Sequence, residues 1–153
     1  VALLNFRYNN KIQLDIQEKN FGSFEIPKLS LQPLVENSYK HGLKAKPGMG
    51  LVQITVEAVD NDLEITVLDN GTGMSPAVLT ALQKQLQGTA KPRTEKQTGG
   101  VGLKNVHDRL KSLYGEGYGL TVSSWLGIGT AVCLKLPKRI KEEPEHVEFD
   151  SGR

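Results

Sequence analysis

A chain of 153 residues, 38% hydrophobic and 24% charged, has the length and balance of one globular domain, able to bury roughly two-thirds of its unfolded surface without staples. The formal net charge of +2 is too small to imply a nucleic-acid partner, no basic stripe with interleaved aromatics appears, and no apolar run approaches the roughly 20 residues of a membrane-spanning helix. Its single cysteine, Cys133, excludes an internal disulfide and a zinc cluster, and lies in an alternating pattern that predicts a buried strand residue in a reducing compartment.

In chain order, residues 1–10 read as the end of an upstream helix, with Leu3, Leu4, Arg7 and Tyr8 at helical spacing before Asn9 and Asn10. The chain opens on Val1 with no basic and apolar leader, which is expected of a piece of something longer. Ile12, Leu14 and Ile16 alternate with polar residues and predict a half-buried strand. A helix follows, with Pro27 and Ser30 as competing start signals, Leu31, Leu34 and Val35 apolar, and Gly42 as its stop. Pro33 fits best in a first turn and favours the later start.

Residues 51–59 and 63–67 alternate on either side of Asp60-Asn61-Asp62 and predict a hairpin that runs directly into Asp69. Ser75-Pro76 is an N-cap followed by proline at the first helical position, opening a short helix to about Leu86. Periodicity is then lost over 87–98, a basic loop carrying Lys91, Arg93 and Lys96. Gly99-Gly100-Val101-Gly102 opens a helix near Leu103, whose core face is expected to carry Leu103, Val106, Leu110 and Leu113. A second hairpin turns at Gly127 and Gly129 and ends near Leu136, and the charged residues 138–153 predict a disordered tail.

Three constellations carry chemistry. On the helix over 31–41, Glu36, Asn37, Lys40 and His41 cover an arc of roughly 140° at about 100° per residue, opposite Leu31, Leu34 and Val35. An asparagine carbonyl is a hard oxygen ligand suited to Mg²⁺, and Lys40 can neutralise a phosphate, although an ordinary solvated face has the same pattern. The glycines before Leu103 place unpaired N–H groups at a helix start, a cradle for phosphate, yet a lone match of this kind also arises by chance. Asp69, followed by Gly71 and Gly73, accepts hydrogen bonds only, so if buried it selects a donor such as the amine of adenine; an ordinary surface turn satisfies the same residues. Thr130 adds a hydroxyl beside Asp69 or serves simply as a strand residue.

In this order the motifs resemble a known family. Residues 31–42 (LQPLVENSYKHG) look like the N box, 69–73 like the G1 box and 99–110 (GGVGLKNVHDRL) like the G2 region of histidine kinase ATP-binding domains, with wording similar to sensor kinases of the LytS and YesM type. The resemblance implies a Bergerat-fold two-layer α/β sandwich over 11–137, a mixed sheet packed on helices with a flexible ATP lid at 87–98. It implies that Asp69 binds the adenine amine, that Asn37 holds Mg²⁺, and that Lys40 and His41 contact phosphates. Gly71, Gly73, Gly100, Gly102, Leu103 and Thr130 would line the ATP site, with Asn37 and Lys40 as catalytic residues.

The implied reaction is donation of the γ-phosphate of Mg·ATP to a histidine of the same or a partner subunit. That acceptor is expected outside this chain, because His41, His107 and His146 lack the acceptor's context, and this piece is not expected to phosphorylate itself. Pro33 stands where related hydrolytic ATPases carry a glutamate base, which disfavours water activation. A response regulator is the implied partner, and the implied parent is a homodimeric bacterial inner-membrane sensor with this domain in the cytoplasm. A protein serine kinase of the anti-sigma-factor type and a nucleotide-binding module without turnover are the alternatives.

Overall fold

The structure, a computed structural model, describes residues 12–19, 28–43, 47–88 and 101–138. The expected helix end over 1–10, residues 89–100 of the basic loop and glycine turn, and the tail beyond 138 lie outside the described residues, as does the side chain of His41.

Among the described residues, five strands form one mixed sheet in the order β1 (Ile12–Lys19), β2 (Gly50–Val59), β3 (Asp62–Asp69), β5 (Gly129–Pro137), β4 (Gly119–Trp125). The first pair is parallel, from Ile12 opposite Gly50 to Lys19 opposite Glu57, and the others are antiparallel. Parallel neighbours need a crossover, and helix α1 (Lys28–Ser38) with the π-helical turn Tyr39–Leu43 lies within it. Helices α2 (Pro76–Leu86) and α3 (Val101–Tyr114) complete one helical layer on one face of the sheet.

Alternation decides which face is covered. Val52, Ile54 and Val56 of β2, Leu63, Ile65 and Val67 of β3, and Val132, Leu134 and Leu136 of β5 are buried with Leu34, Val35, Leu103 and Leu110 from the helices. Each such side chain contributes roughly 1.5–3 kcal/mol relative to exposure. The intervening residues Thr66, Leu68, Thr121 and Cys133 lie on the other face, so Cys133 is only half-buried, contrary to expectation, because it is out of phase with Val132 and Leu134. Burial still raises its thiol pKa above the ordinary 9.0.

Two helices differ in detail from the reading of their sequence. The first begins at Lys28, so Pro33 sits inside it, in the second turn. The missing N–H forgoes a helical bond, but the early start presents Leu31 as well as Leu34 and Val35 to the core. The helix does not stop at Gly42; it widens into the π-helical turn and ends at Leu43, which is buried. In α3, Leu113 is 56% exposed, while Tyr114 and His107 pack inward with Leu103 and Leu110. Tyr114 falls closer to the Leu103–Leu110 stripe at about 100° per residue than Leu113 does. The short helix is as expected: the Ser75 side chain accepts from the N–H of Val78 at 3.3 Å, Pro76 is first, and Leu86 is last.

The outer edge of β4 is covered by polar side chains of the helices. Gln83 donates to the carbonyl of Val122 at 3.0 Å, and the N–H of Leu120 donates to Nδ1 of His107 at 2.9 Å. An edge strand leaves such groups unpaired unless another element reaches them. His107 is therefore neutral with its proton on Nε2, an atom that is buried without a hydrogen-bond partner.

This arrangement makes stability depend on pH. Burial, and then the charge of Lys111, lowers the His107 pKa below 6.5, so the unfolded chain takes up a proton more readily than the folded one. The stabilisation is complete above 6.5 and is lost progressively as the pH falls toward the lowered native value. We expect thermal unfolding to shift downward between about pH 7.5 and about pH 5.5. His107→Asn, which offers Leu120 an acceptor that does not titrate, should flatten that dependence.

Candidate functional site

The alternation that buries Leu63, Ile65 and Val67 continues to the end of β3, and there it delivers Asp69. The carboxylate thus occupies a core-facing position and is only 6% exposed. Burying a charge is costly unless hydrogen bonds compensate, and the chain supplies one at once: Asp69 Oδ1 accepts from the N–H of Gly71 at 2.8 Å. Thr130 stands directly opposite on β5, in phase with Val132 and also buried. Side chains so paired have Cβ atoms about 5 Å apart.

The π-helical turn lies against this carboxylate. A Cβ on Gly42 would stand 3.3 Å from Asp69 Oδ1, and one on Gly71 would stand 2.6 Å from the backbone of Gly42 and 2.9 Å from Asp69 Oδ1. The carbonyl of Gly42 accepts from the N–H of Thr72 at 3.3 Å. Two glycines therefore bring the turn and the strand end into contact, a closeness side chains would prevent. Isolated π turns of this kind recur at functional sites.

Behind Asp69, the β4–β5 hairpin is fastened to the same loop. Gly73 has φ +70 and packs against the carbonyl of Trp125, and Gly129 has φ +155 and packs against the carbonyl of Asp69; a Cβ at either position would collide with that oxygen. The N–H of Gly127 donates to Thr72 O at 2.7 Å and the N–H of Met74 to Ser124 Oγ at 2.8 Å. On the other side, Asn70 Oδ1 accepts from the N–H of Leu51 at 2.9 Å, continuing the ladder past the end of β3.

The remaining expected site residues lie on the helices. Asn37 and Glu36 are half-buried on α1, and Lys40 is exposed on the π-helical turn. The uniform 100° wheel that placed Lys40 and His41 beside Asn37 ends at Ser38, because the backbone widens there. On α3, Val101, Gly102 and Leu103 are the first three residues, so their N–H groups have no partner within the helix. Gly102 is exposed, and among the described residues no atom outside its own helix backbone and chain neighbours lies within 4 Å of a would-be Cβ, whereas the Leu103 side chain is fully buried in the core. What Leu103 presents at the helix start is therefore its backbone. The ends of the intervening loop are held together by Lys104, whose Nζ donates to the carbonyl of Leu86 at 3.5 Å.

A buried carboxylate at a strand end with a glycine turn of the crossover helix packed against it is the geometry on which a comparison can rest, and the model of the histidine kinase-, DNA gyrase B- and HSP90-like ATPases matches residues 27–140. The chain belongs to this family. It is 35% identical over 139 residues to the sensor protein LytS of Bacillus subtilis and 33% identical over 141 residues to the sensor histidine kinase YpdA of Escherichia coli. These matches cover 90% and 91% of the chain but only 22% of either relative. Solved structures agree in fold: the catalytic domain of histidine kinase ThkA superposes with a TM-score of 0.61 at 15% identity, covering 90% of this chain and 86% of that one. The mycobacterial sensor histidine kinase MprB gives 0.59 at 19%, covering 91% and 89%. The expected α/β architecture of the histidine kinase catalytic domain is thus the observed one. Among the described residues no helix is long and apolar enough to cross a membrane.

The domain's sequence left three participants unremarked. Gly42 looked like a helix stop and is instead the backbone seat for Asp69 and Gly71. No local pattern marks Asn70 or Ser124, and only the pairing of strands distant in sequence reveals their hydrogen bonds.

Glycine substitutions should separate these roles. Gly71→Ala drives a methyl into the backbone of Gly42, and overpacking of this kind typically costs about 1–3 kcal/mol, readable as a lower urea midpoint. Gly102→Ala fills open space in a helix and should leave the midpoint unchanged or raised, by up to about 1 kcal/mol.

Proposed function

We propose that this domain binds Mg·ATP and donates its γ-phosphate to a histidine on a segment outside this chain. The single observation that carries the reading is Asp69, a carboxylate in a core-facing position whose acceptor capacity is directed by Gly71 and flanked by Thr130. Such a group selects a ligand with N–H donors, as the 6-amino group of adenine provides.

The residues present fit a nucleotide. Gly42 and Gly71 let the π-helical turn pack backbone to backbone beside the carboxylate, which fixes where a base could approach it. The first N–H groups of α3 are donors suited to phosphate oxygens, and the exposed Lys40 adds positive charge. Asn37 would offer its carbonyl to Mg²⁺; among the described residues no three His, Cys, Asp or Glu converge, so the remaining ligands would be phosphate and water oxygens. Bound Mg·ATP supplies the transferable phosphoryl group together with neutralisation of its charge. The chain's own part is positioning: Asp69 orients the base, the start of α3 and Lys40 hold the phosphates, and Asn37 fixes the cation. Phosphoryl transfer is catalysed largely by such positioning and electrostatic stabilisation. Gly73, Gly100 and His41 belong to the same proposed lining.

The LytS and YpdA relatives are several times longer than this chain. Their named class, sensor protein and sensor histidine kinase, supports a bacterial sensor kinase as the parent, and we extend the proposal to a membrane-associated homodimer paired with a response regulator.

Calorimetric titration with Mg·ATP tests the binding step. The parent should bind, and Asp69→Asn, which keeps an oxygen for Gly71 but replaces an acceptor by a donor, should lose affinity by roughly tenfold or more. Equal affinity of the two proteins would overturn the assignment. With the native upstream segment attached, transfer from labelled ATP should give a product stable to base and lost in acid. A base-labile label on a partner would point to a serine acceptor, and no label to binding without turnover.

A further inference from the structure

Ser124 Oγ touches three polar groups at once, and their chemistry settles where its proton lies. The N–H of Met74 reaches it at 2.8 Å, the carbonyl of Gly129 lies 3.0 Å away, and Thr130 Oγ1 lies 2.7 Å away. A hydroxyl has one hydrogen and two lone pairs. Met74 can only donate and fills one lone pair. The Gly129 carbonyl can only accept and takes the single hydrogen. The remaining lone pair is left for the hydrogen of Thr130. If Ser124 donated to Thr130 instead, its oxygen and the Gly129 carbonyl would face each other as two acceptors at 3.0 Å.

We propose that Ser124 is a positioning residue that fixes the polarity of the Thr130 hydroxyl, so that Asp69 and Thr130 together offer a ligand hydrogen-bond acceptors only. The inference rests on the nucleotide reading above and deepens it by assigning the source of base selectivity. Thr130 is directly opposite Asp69 in the β3–β5 register, and both are buried. A threonine hydroxyl free to rotate could donate to a 6-keto oxygen and tolerate hypoxanthine or guanine. With its hydrogen committed to Ser124, Thr130 has only lone pairs left, and a keto oxygen meets acceptors alone. A 6-amino group, with two N–H donors, finds a match. A buried polar group without a partner is penalised more heavily than a good hydrogen bond is rewarded, which makes the arrangement selective.

Titration calorimetry with Mg·ATP and Mg·ITP, which differ at the 6-position as amine and keto oxygen, tests this. The parent should prefer ATP, and Ser124→Ala, which releases the Thr130 hydrogen, should narrow the ATP-to-ITP ratio by about tenfold, chiefly through tighter ITP binding. Ser124→Thr, which keeps the hydroxyl, should restore the parent's ratio. Loss of both affinities by one factor in Ser124→Ala, or an unchanged ratio, would show a merely structural serine and overturn the inference. If Ser124→Ala does not fold, Thr130→Val decides: it should weaken ATP and leave ITP unweakened, and an equal loss of both overturns the inference. A parent that binds neither nucleotide would refute the nucleotide reading itself.

Discussion

A buried carboxylate organises this end of the domain. Asp69 occupies a position that the alternation of β3 reserves for an apolar side chain, and the surrounding backbone is arranged so that the carboxylate can remain there. Gly71 gives it an N–H, Gly42 and Gly71 let the π-helical turn pack backbone to backbone beside it, and Gly129 lets the β5 backbone pass the carbonyl of Asp69. An unpaired buried carboxylate would be destabilising by several kcal/mol, so the close backbone packing that these glycines permit serves stability. The carboxylate is thereby held on the face of the sheet that the helices cover.

The rest of the fold positions what surrounds that charge. The parallel β1–β2 pair demands a crossover, and the crossover places α1 with Asn37 and the π-helical turn on the face of the sheet that Asp69 shares. The β4–β5 hairpin brings Thr130 beside Asp69, and through Ser124 and Gly127 it ties down the loop that follows β3. Helix α3 is pinned by Leu103 and Leu110 in the core and by His107 on the edge of β4, so its N-terminus is held at a fixed height above the sheet. Surface ion pairs such as Lys104 with Asp108 add little, since exposed pairs are worth less than about 1 kcal/mol.

The same construction separates backbone from side-chain contributions. Backbone contacts at Gly42, Gly71, Gly73 and Gly129 fix the surroundings of Asp69 irrespective of side-chain chemistry. In the proposed nucleotide reading, selectivity would rest on few atoms: the carboxylate of Asp69 and the hydroxyl polarity shared by Thr130 and Ser124. Small changes at those atoms should alter which ligand is accepted without altering the fold, whereas changes at the glycines should do the reverse.

Much of this was legible in the residues themselves. The period-two runs of the two hairpins, the Ser75-Pro76 start of α2 and the motif order around Asn37, Asp69 and Gly102 depend on local stereochemistry, which neighbouring residues decide among themselves. Whether Asp69 was a turn residue or a buried acid depended on the strand it ended, and the alternation through Val67 already held that answer. Other features belonged to the tertiary structure. Pro33 was drawn into the interior of α1 because burial of Leu31, Leu34 and Val35 outweighs one lost hydrogen bond. Gly42 became a contact surface, Tyr114 displaced Leu113 from the core, and Ser124 acquired three partners, because each role depends on a neighbour distant in sequence. Periodicity reports which way a side chain points; what it meets there is decided only when the strands pair and the helices settle on them.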